Sequence, residues 1–106
     1  MKNEIYVDGG RITNNQKETV KCLIEEARVI LDKEIIEPEP DIVMSPMAAG
    51  ERYLKWKAKM KLFEKTLPIE HPFKKEIEEK IDDPDIYSIK EIKAMLESIM
   101  EWYNKG

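Results

Sequence analysis

Apolar residues recur at alternating spacings of three and four in the middle of the chain, and this periodicity constrains the fold more than any other sequence feature. Its clearest part is the series Tyr53, Trp56, Met60, Phe63 and Leu67. Such spacings place side chains on one face of an α-helix, which has 3.6 residues per turn. We therefore predict a helix over 46–67, begun by Ser45-Pro46 and ended by Pro68. Within it, Gly50 should weaken the first turn by about 1 kcal/mol relative to alanine.

Three further segments are predicted to be helical. The first covers 15–36, with Asn15 as its cap and Pro38 as its stop. A short helix follows His71-Pro72 and ends in the acidic run 82–85. The last begins at the capping box Ser88-Ile89-Lys90-Glu91, and its apolar positions are Ile89, Ile92, Leu96, Ile99 and Tyr103.

The predicted fold class is all-α, a single-domain bundle of about four helices with a short N-terminal arm or β-hairpin. The chain has 106 residues, which is the size of one domain. Residues 1–14 form the arm or hairpin, because Ile5-Tyr6-Val7 precedes an Asp-Gly-Gly turn signal. Residues 15–106 form the bundle. In it, the apolar faces of the second and fourth helices are expected to meet each other and the first helix.

Two apolar segments do not belong to these faces. The segment 37–45 contains two prolines and three acids, followed by Ile42, Val43 and Met44, and we expect it to lie against the protein. The second group is a stripe of three spaced residues on the far side of the second helix, Leu54, Ala58 and Leu62. A helix that is apolar on two faces is normally packed between neighbours or takes part in an interface.

The sequence offers little for catalysis, and we expect no enzymatic activity, cofactor or metal. There is one histidine and one cysteine. His71 lies between two prolines and is expected to be a turn residue or a helix N-cap. Asp82, Asp83 and Asp85 lack the spacing of a calcium-binding loop and its terminal glutamate. No glycine-rich phosphate loop and no zinc-ligand spacing occurs.

Charge is segregated along the chain, although the net charge is only −4. The segment 52–65 carries five more positive than negative charges, whereas 32–41 and 70–91 each carry four more negative than positive charges. The cations are candidate partner-binding residues: Arg52, Lys55, Lys57, Lys59, Lys61 and Lys65. Three interpretations remain open, namely docking on the protein's own acidic segments, binding of nucleic acid, or binding of an acidic protein.

A second candidate binding set lies opposite the main face of the first helix. Cys22, Val29 and Ile36 repeat every seven residues, which suggests either a homodimer seam or positions covered by the linker or a neighbouring helix. A single cysteine excludes an internal disulfide. No apolar run reaches the roughly 20 residues of a membrane span, and no signal peptide begins the chain, so we expect a cytoplasmic protein without a membrane partner.

One combination of segments resembles a known family. The run Leu23-Ile24-Glu25-Glu26-Ala27-Arg28-Val29-Ile30-Leu31, followed by Tyr53-x-x-Trp56-Lys57 and Phe63, is similar to small helical N-terminal modules of bacterial abortive-infection and related phage-defence proteins. The resemblance implies a helical module, without catalytic residues, that precedes an effector or sensing domain. The expected function is a non-enzymatic protein–protein interaction or regulatory module of a prokaryote, phage or mobile element. Weak nucleic-acid binding through 52–65 is the alternative.

Overall fold

The computed structural model describes residues 14–41 and 43–105, and their side chains over 16–41 and 43–102. The elements are α1 (Asn14–Lys33), β1 (Ile35–Ile36), β2 (Met47–Ala48), α2 (Glu51–Thr66), α3 (Lys74–Lys80) and α4 (Ile86–Lys105). This confirms the predicted four-helix, mostly-α fold. The N-terminal arm or hairpin predicted for 1–14 lies outside the described residues, except that Asn14 begins α1.

One apolar core holds the helices together. Helix α1 packs along α4 and against α2, while the short α3 contacts both α2 and α4. The predicted packing faces of α2 and α4 are buried in this core, from Tyr53 to Leu67 and from Ile89 to Ile99. Helix α1 contributes Val20, Leu23, Ile24, Ala27 and Ile30. Helical spacing therefore identified the buried faces correctly, but the expected packing of α2 and α4 on each other is wrong, because both helices pack chiefly on α1.

A two-stranded antiparallel hairpin separates α1 from α2, where the sequence predicted only helix and linker. Ile35 lies opposite Ala48, and Ile36 lies opposite Met47. The predicted extension of the first helix to Ile36 is therefore wrong, and so is the start of the second at Pro46. The other edge of β2 is also paired, because Ala48 N–H donates to the Pro84 carbonyl at 2.8 Å. Because β2 is paired on both edges, its backbone N–H and C=O groups have the hydrogen-bond partners that they would otherwise find within a helix.

A residue from outside the helix caps α2. Gly50, at the N-cap, has φ of 125° and carries no side chain that could accept a hydrogen bond. Instead, the Glu34 carboxylate accepts the Tyr53 backbone N–H at 2.8 Å. A carboxylate at this position also interacts favourably with the positive end of the helix dipole. Glu34 thus ties the start of α2 to the end of α1.

The cap of α4 also differs from the prediction. Asp85, not Ser88, precedes the helix, and its carboxylate accepts the Tyr87 N–H at 2.7 Å. Ser88 is buried in the first turn and donates its hydroxyl to the Asp83 carboxylate at 2.9 Å. Aspartate and serine both favour the N-cap position, so the sequence alone does not choose between Asp85 and Ser88. The bridge between Met47 of β2 and Asp85 fixes the start of α4 at the earlier position.

Candidate interaction surfaces

Most cations of the basic segment 52–65 are already paired within the molecule. Lys57 and Lys61 both contact the Asp82 carboxylate, at 3.6 and 3.0 Å. Lys59 contacts Glu26 on α1 at 2.8 Å, and Lys55 contacts Glu51 at 3.4 Å. The chain's own acids therefore contact four of the six candidate cations, but only Asp82, which holds Lys57 and Lys61, belongs to one of the acidic segments on which docking was predicted.

These ion pairs change the proton affinity of their members. The hydrogen bond from Lys61 holds the pKa of Asp82 below its ordinary value, and the charge of Lys57 adds to this effect. The hydrogen bond to Glu26 raises the pKa of Lys59. Within the described residues, Arg52 and Lys65 have no ion pair. The basic segment is thus a row of neutralised lysines with one free cation near each end of α2, and binding of nucleic acid by it stays a prediction.

The second predicted set, Cys22, Val29 and Ile36, does not form one helical seam. Cys22 and Val29 lie on α1, but Ile36 lies in β1, beyond the end of the helix. Cys22 is exposed and borders a groove of about 480 Å³ between α1 and α2. The groove is also lined by Leu62 and Phe63. Because the three residues lie on two elements, a seam along one helix is not available, and partner binding by each residue stays a prediction.

The hairpin carries four exposed apolar side chains. We call this set the hairpin surface: Ile36, Val43, Met44 and Met47. Val43 is fully exposed, and Ile36 and Met44 are exposed by more than half. The expectation that the linker lies against the protein is therefore wrong for its described apolar residues. The strands anchor the two ends of the loop, whereas Val43 and Met44 extend from it into solvent.

Acidic residues surround the hairpin surface. From Glu34 to Glu51 the sequence contains no lysine or arginine. Glu37, Glu39 and Asp41 are all exposed. Glu37 and Glu39 also line a groove of about 380 Å³ together with Ile36, Pro38, Met44 and Met47. The result is an apolar surface with a negatively charged rim, and the sequence signal for it was the change from acidic to apolar residues within 37–44.

A second exposed apolar surface lies on α2. Leu54 and Leu62 are 59% and 67% exposed, and Ala58 between them is also exposed. These three residues form the stripe that sequence analysis placed opposite the packing face. We call them, together with Glu51 and Lys65, the outer face of α2. Of the two outcomes expected for this stripe, burial between neighbouring helices is wrong for the described chain.

His71 has a structural role in the turn between α2 and α3. Its Nδ1 accepts the Phe73 backbone N–H at 3.1 Å, which confirms the predicted turn residue. Its ring packs beside Phe73 and Trp102. The buried Nε2 atom has no hydrogen-bond partner among the described residues. Burial, with a smaller contribution from the Lys74 ammonium, lowers the pKa of His71 below its ordinary value of 6.5.

We expect His71 to make folding stability depend on pH near neutrality. Because its pKa is lower in the folded chain, the unfolded chain takes up the proton first as the pH falls. The free energy of unfolding should therefore decrease from about pH 7.5 to about pH 5.5, where histidine is the titrating side chain. Urea unfolding of the wild type and of His71→Asn, which keeps an acceptor for the Phe73 N–H, measures this. Equal pH slopes in the two proteins would contradict the assignment.

The three acids in the turn before α4, Asp82, Asp83 and Asp85, have structural roles. Asp82 holds two lysines of α2, Asp83 accepts the Ser88 hydroxyl, and Asp85 caps α4. Among the described residues, no three His, Cys, Asp or Glu side chains are grouped as metal ligands. Within the same residues, no helix has the length and apolar character that a membrane crossing requires.

Comparison with family models, curated proteins and solved structures finds no match to this chain. The resemblance to abortive-infection modules therefore stays a prediction from the sequence. The features available for a functional argument are the acidic, apolar hairpin surface and the outer face of α2.

Proposed function

We propose that this protein is a non-enzymatic interaction or regulatory module that binds a partner protein through the hairpin surface. One observation carries the proposal: four apolar side chains are exposed on one hairpin, Ile36 and Met47 in its paired strands and Val43 and Met44 in the loop that the strands hold. Contiguous exposed apolar surface is costly in water and typically marks an interaction site. A loop held by a rigid scaffold is also a common location for binding residues.

The charge of the rim defines the class of partner. The loop carries three exposed acids, Glu37, Glu39 and Asp41, of which the first two line the groove beside Ile36, Met44 and Met47, and the segment 34–51 contains no lysine or arginine. A partner segment that buries its own apolar side chains here would be favoured if lysine or arginine flanked them. Met44 and Met47 suit such a contact, because methionine adapts its shape to irregular surfaces. The proposed partner is therefore a basic amphipathic segment of another protein.

The alternative, weak nucleic-acid binding through 52–65, has less support. Phosphate contacts would have to displace carboxylates that already hold Lys57, Lys59 and Lys61. The hairpin surface would repel a polyanion. A role in host–phage conflict follows only from the resemblance of the sequence and forms part of the proposal on that basis.

The test compares capture by three tagged proteins from a prokaryotic lysate: wild type, the double variant Val43→Asp/Met44→Asp, and the control Leu54→Asp. The control also introduces an aspartate at an exposed apolar position, but on another face. Losing the burial of two such side chains should weaken binding at least about 100-fold. We expect a protein that wild type and Leu54→Asp retain after nuclease treatment, and that the double variant loses.

Salt and nuclease distinguish this outcome from the alternative. A complex with about six phosphate contacts should lose about a thousandfold in affinity between 50 and 200 mM salt, whereas apolar contacts should change little. Material that is released by nuclease and by salt, or that the double variant captures as well as wild type does, would contradict binding through the hairpin surface.

A further inference from the structure

The outer face of α2 is symmetric about Ala58. Leu54 and Leu62 lie four residues before and after it, and Glu51 and Lys65 lie seven residues before and after it. Steps of four and seven residues rotate by only about 40° and about 20° around a helix, so all five residues share one face. This face is exposed, and on it the apolar residues are central while opposite charges mark the two ends.

We propose that this face binds the same face of a second copy of the chain, with the two α2 helices antiparallel and the two-fold axis beside Ala58. In this register each Leu54 lies opposite Leu62 of the other copy, and each Glu51 lies opposite Lys65. A two-fold interface requires this self-complementarity, because a contact from residue i of one copy to residue j of the other is always repeated from j to i. Alanine at the centre permits close approach of the helix axes.

The charges of the described residues favour a second copy over another occupant. Lys65 has no ion pair within the described residues, and the antiparallel register supplies it with Glu51 of the other copy. Glu51 already contacts Lys55 at 3.4 Å, so each end of the interface would hold three charges of alternating sign. The remaining lysines near the interface are paired with their own acids, for example Lys61 with Asp82 at 3.0 Å, which limits repulsion between the two helices.

The dimer should be weak. The contact of one helix with one other helix buries less surface than the roughly 1,200–2,000 Å² in total that stable complexes bury. Self-association is therefore measured by sedimentation equilibrium of the full chain, from about 10 μM to about 1 mM. The variants are Glu51→Lys, Lys65→Glu and the two changes combined, each first checked for a wild-type melting profile.

We expect each single change to weaken dimerisation at least tenfold, because it places like charges opposite each other. The combined change exchanges the two charges, restores both pairs, and should return the dissociation constant to within a few-fold of wild type. A chain that stays monomeric at about 1 mM would overturn the proposal. So would a combined variant as weak as the single ones, or a dimer lost in Val43→Asp rather than in the α2 variants.

Disulfide trapping tests the position of the axis. In a Cys22→Ser background, Ala58→Cys places two thiols next to the two-fold axis, where an added mild oxidant can take two electrons and two protons from them to form a disulfide between copies. Arg52→Cys is the control, because Arg52 is exposed but lies about 120° around the helix from Ala58. We expect covalent dimers to form at least tenfold faster with Ala58→Cys than with Arg52→Cys. Equal rates at the two positions would overturn the register.

Discussion

Replacing Trp56 by alanine should lower the free energy of unfolding by about 3–5 kcal/mol, a large part of the total for a small domain. Trp56 is 1% exposed and is the largest side chain in the core. Its indole N–H donates to the Leu23 carbonyl at 3.0 Å and so joins α2 to α1. Alanine would remove this hydrogen bond and leave a cavity between the two helices, which neighbouring side chains refill only in part.

Urea unfolding, followed by circular dichroism, measures this effect. Trp56→Phe is the matched control, because it keeps an aromatic ring in the core and removes the indole N–H donor. The free energy of unfolding should decrease clearly less in Trp56→Phe than in Trp56→Ala. If Trp56→Ala unfolded at the wild-type urea concentration, the residue would not belong to the core, and its role would have to be sought in binding instead.

The helices and their buried faces were predictable because they depend on local periodicity. Tyr53, Trp56 and Met60 repeat at helical spacing, and they are buried as that spacing requires. The same rule failed at Ile35 and Ile36, which continue the spacing of α1 but pair with β2 instead. That pairing depends on contacts between distant parts of the chain, which periodicity does not report.

The candidate surfaces were only partly predictable, for a different reason. Apolar composition suggested that Val43 and Met44 would be covered, since most such residues are buried. Their exposure follows from the hairpin, which fixes residues on either side of the loop and leaves Val43 and Met44 in solvent. Charge segregation indicated docking of the lysines on the acidic segments, which is found for Lys57 and Lys61 at Asp82. Glu26, the partner of Lys59, lies outside those segments, and its position depends on the packing of α1 on α2.

Gly50 gives the second large effect, and here the structure reverses the expectation from the sequence. If Gly50 lay inside a helix, alanine would stabilise the chain by about 1 kcal/mol. Instead, it precedes α2 with φ of 125° and ψ of 169°, a backbone region that is essentially restricted to glycine. A Cβ atom added there would lie 2.8 Å from Oε1 of Glu34, the carboxylate that caps α2. We therefore expect Gly50→Ala to destabilise the chain by about 2–4 kcal/mol, by backbone strain and loss of the cap.

Two further variants separate these causes in urea unfolding. Glu34→Ala removes the cap alone and should cost about 0.5–2 kcal/mol. In the double variant Gly50→Ala/Glu34→Ala the added methyl group no longer meets a carboxylate, so only the backbone strain and the missing cap remain. The decrease in the free energy of unfolding should be smaller for the double variant than the sum of the two single decreases. Each single variant loses the same Glu34 cap, so the sum counts that loss twice. A stabilised Gly50→Ala protein would instead place Gly50 within the helix, as its sequence context first suggested.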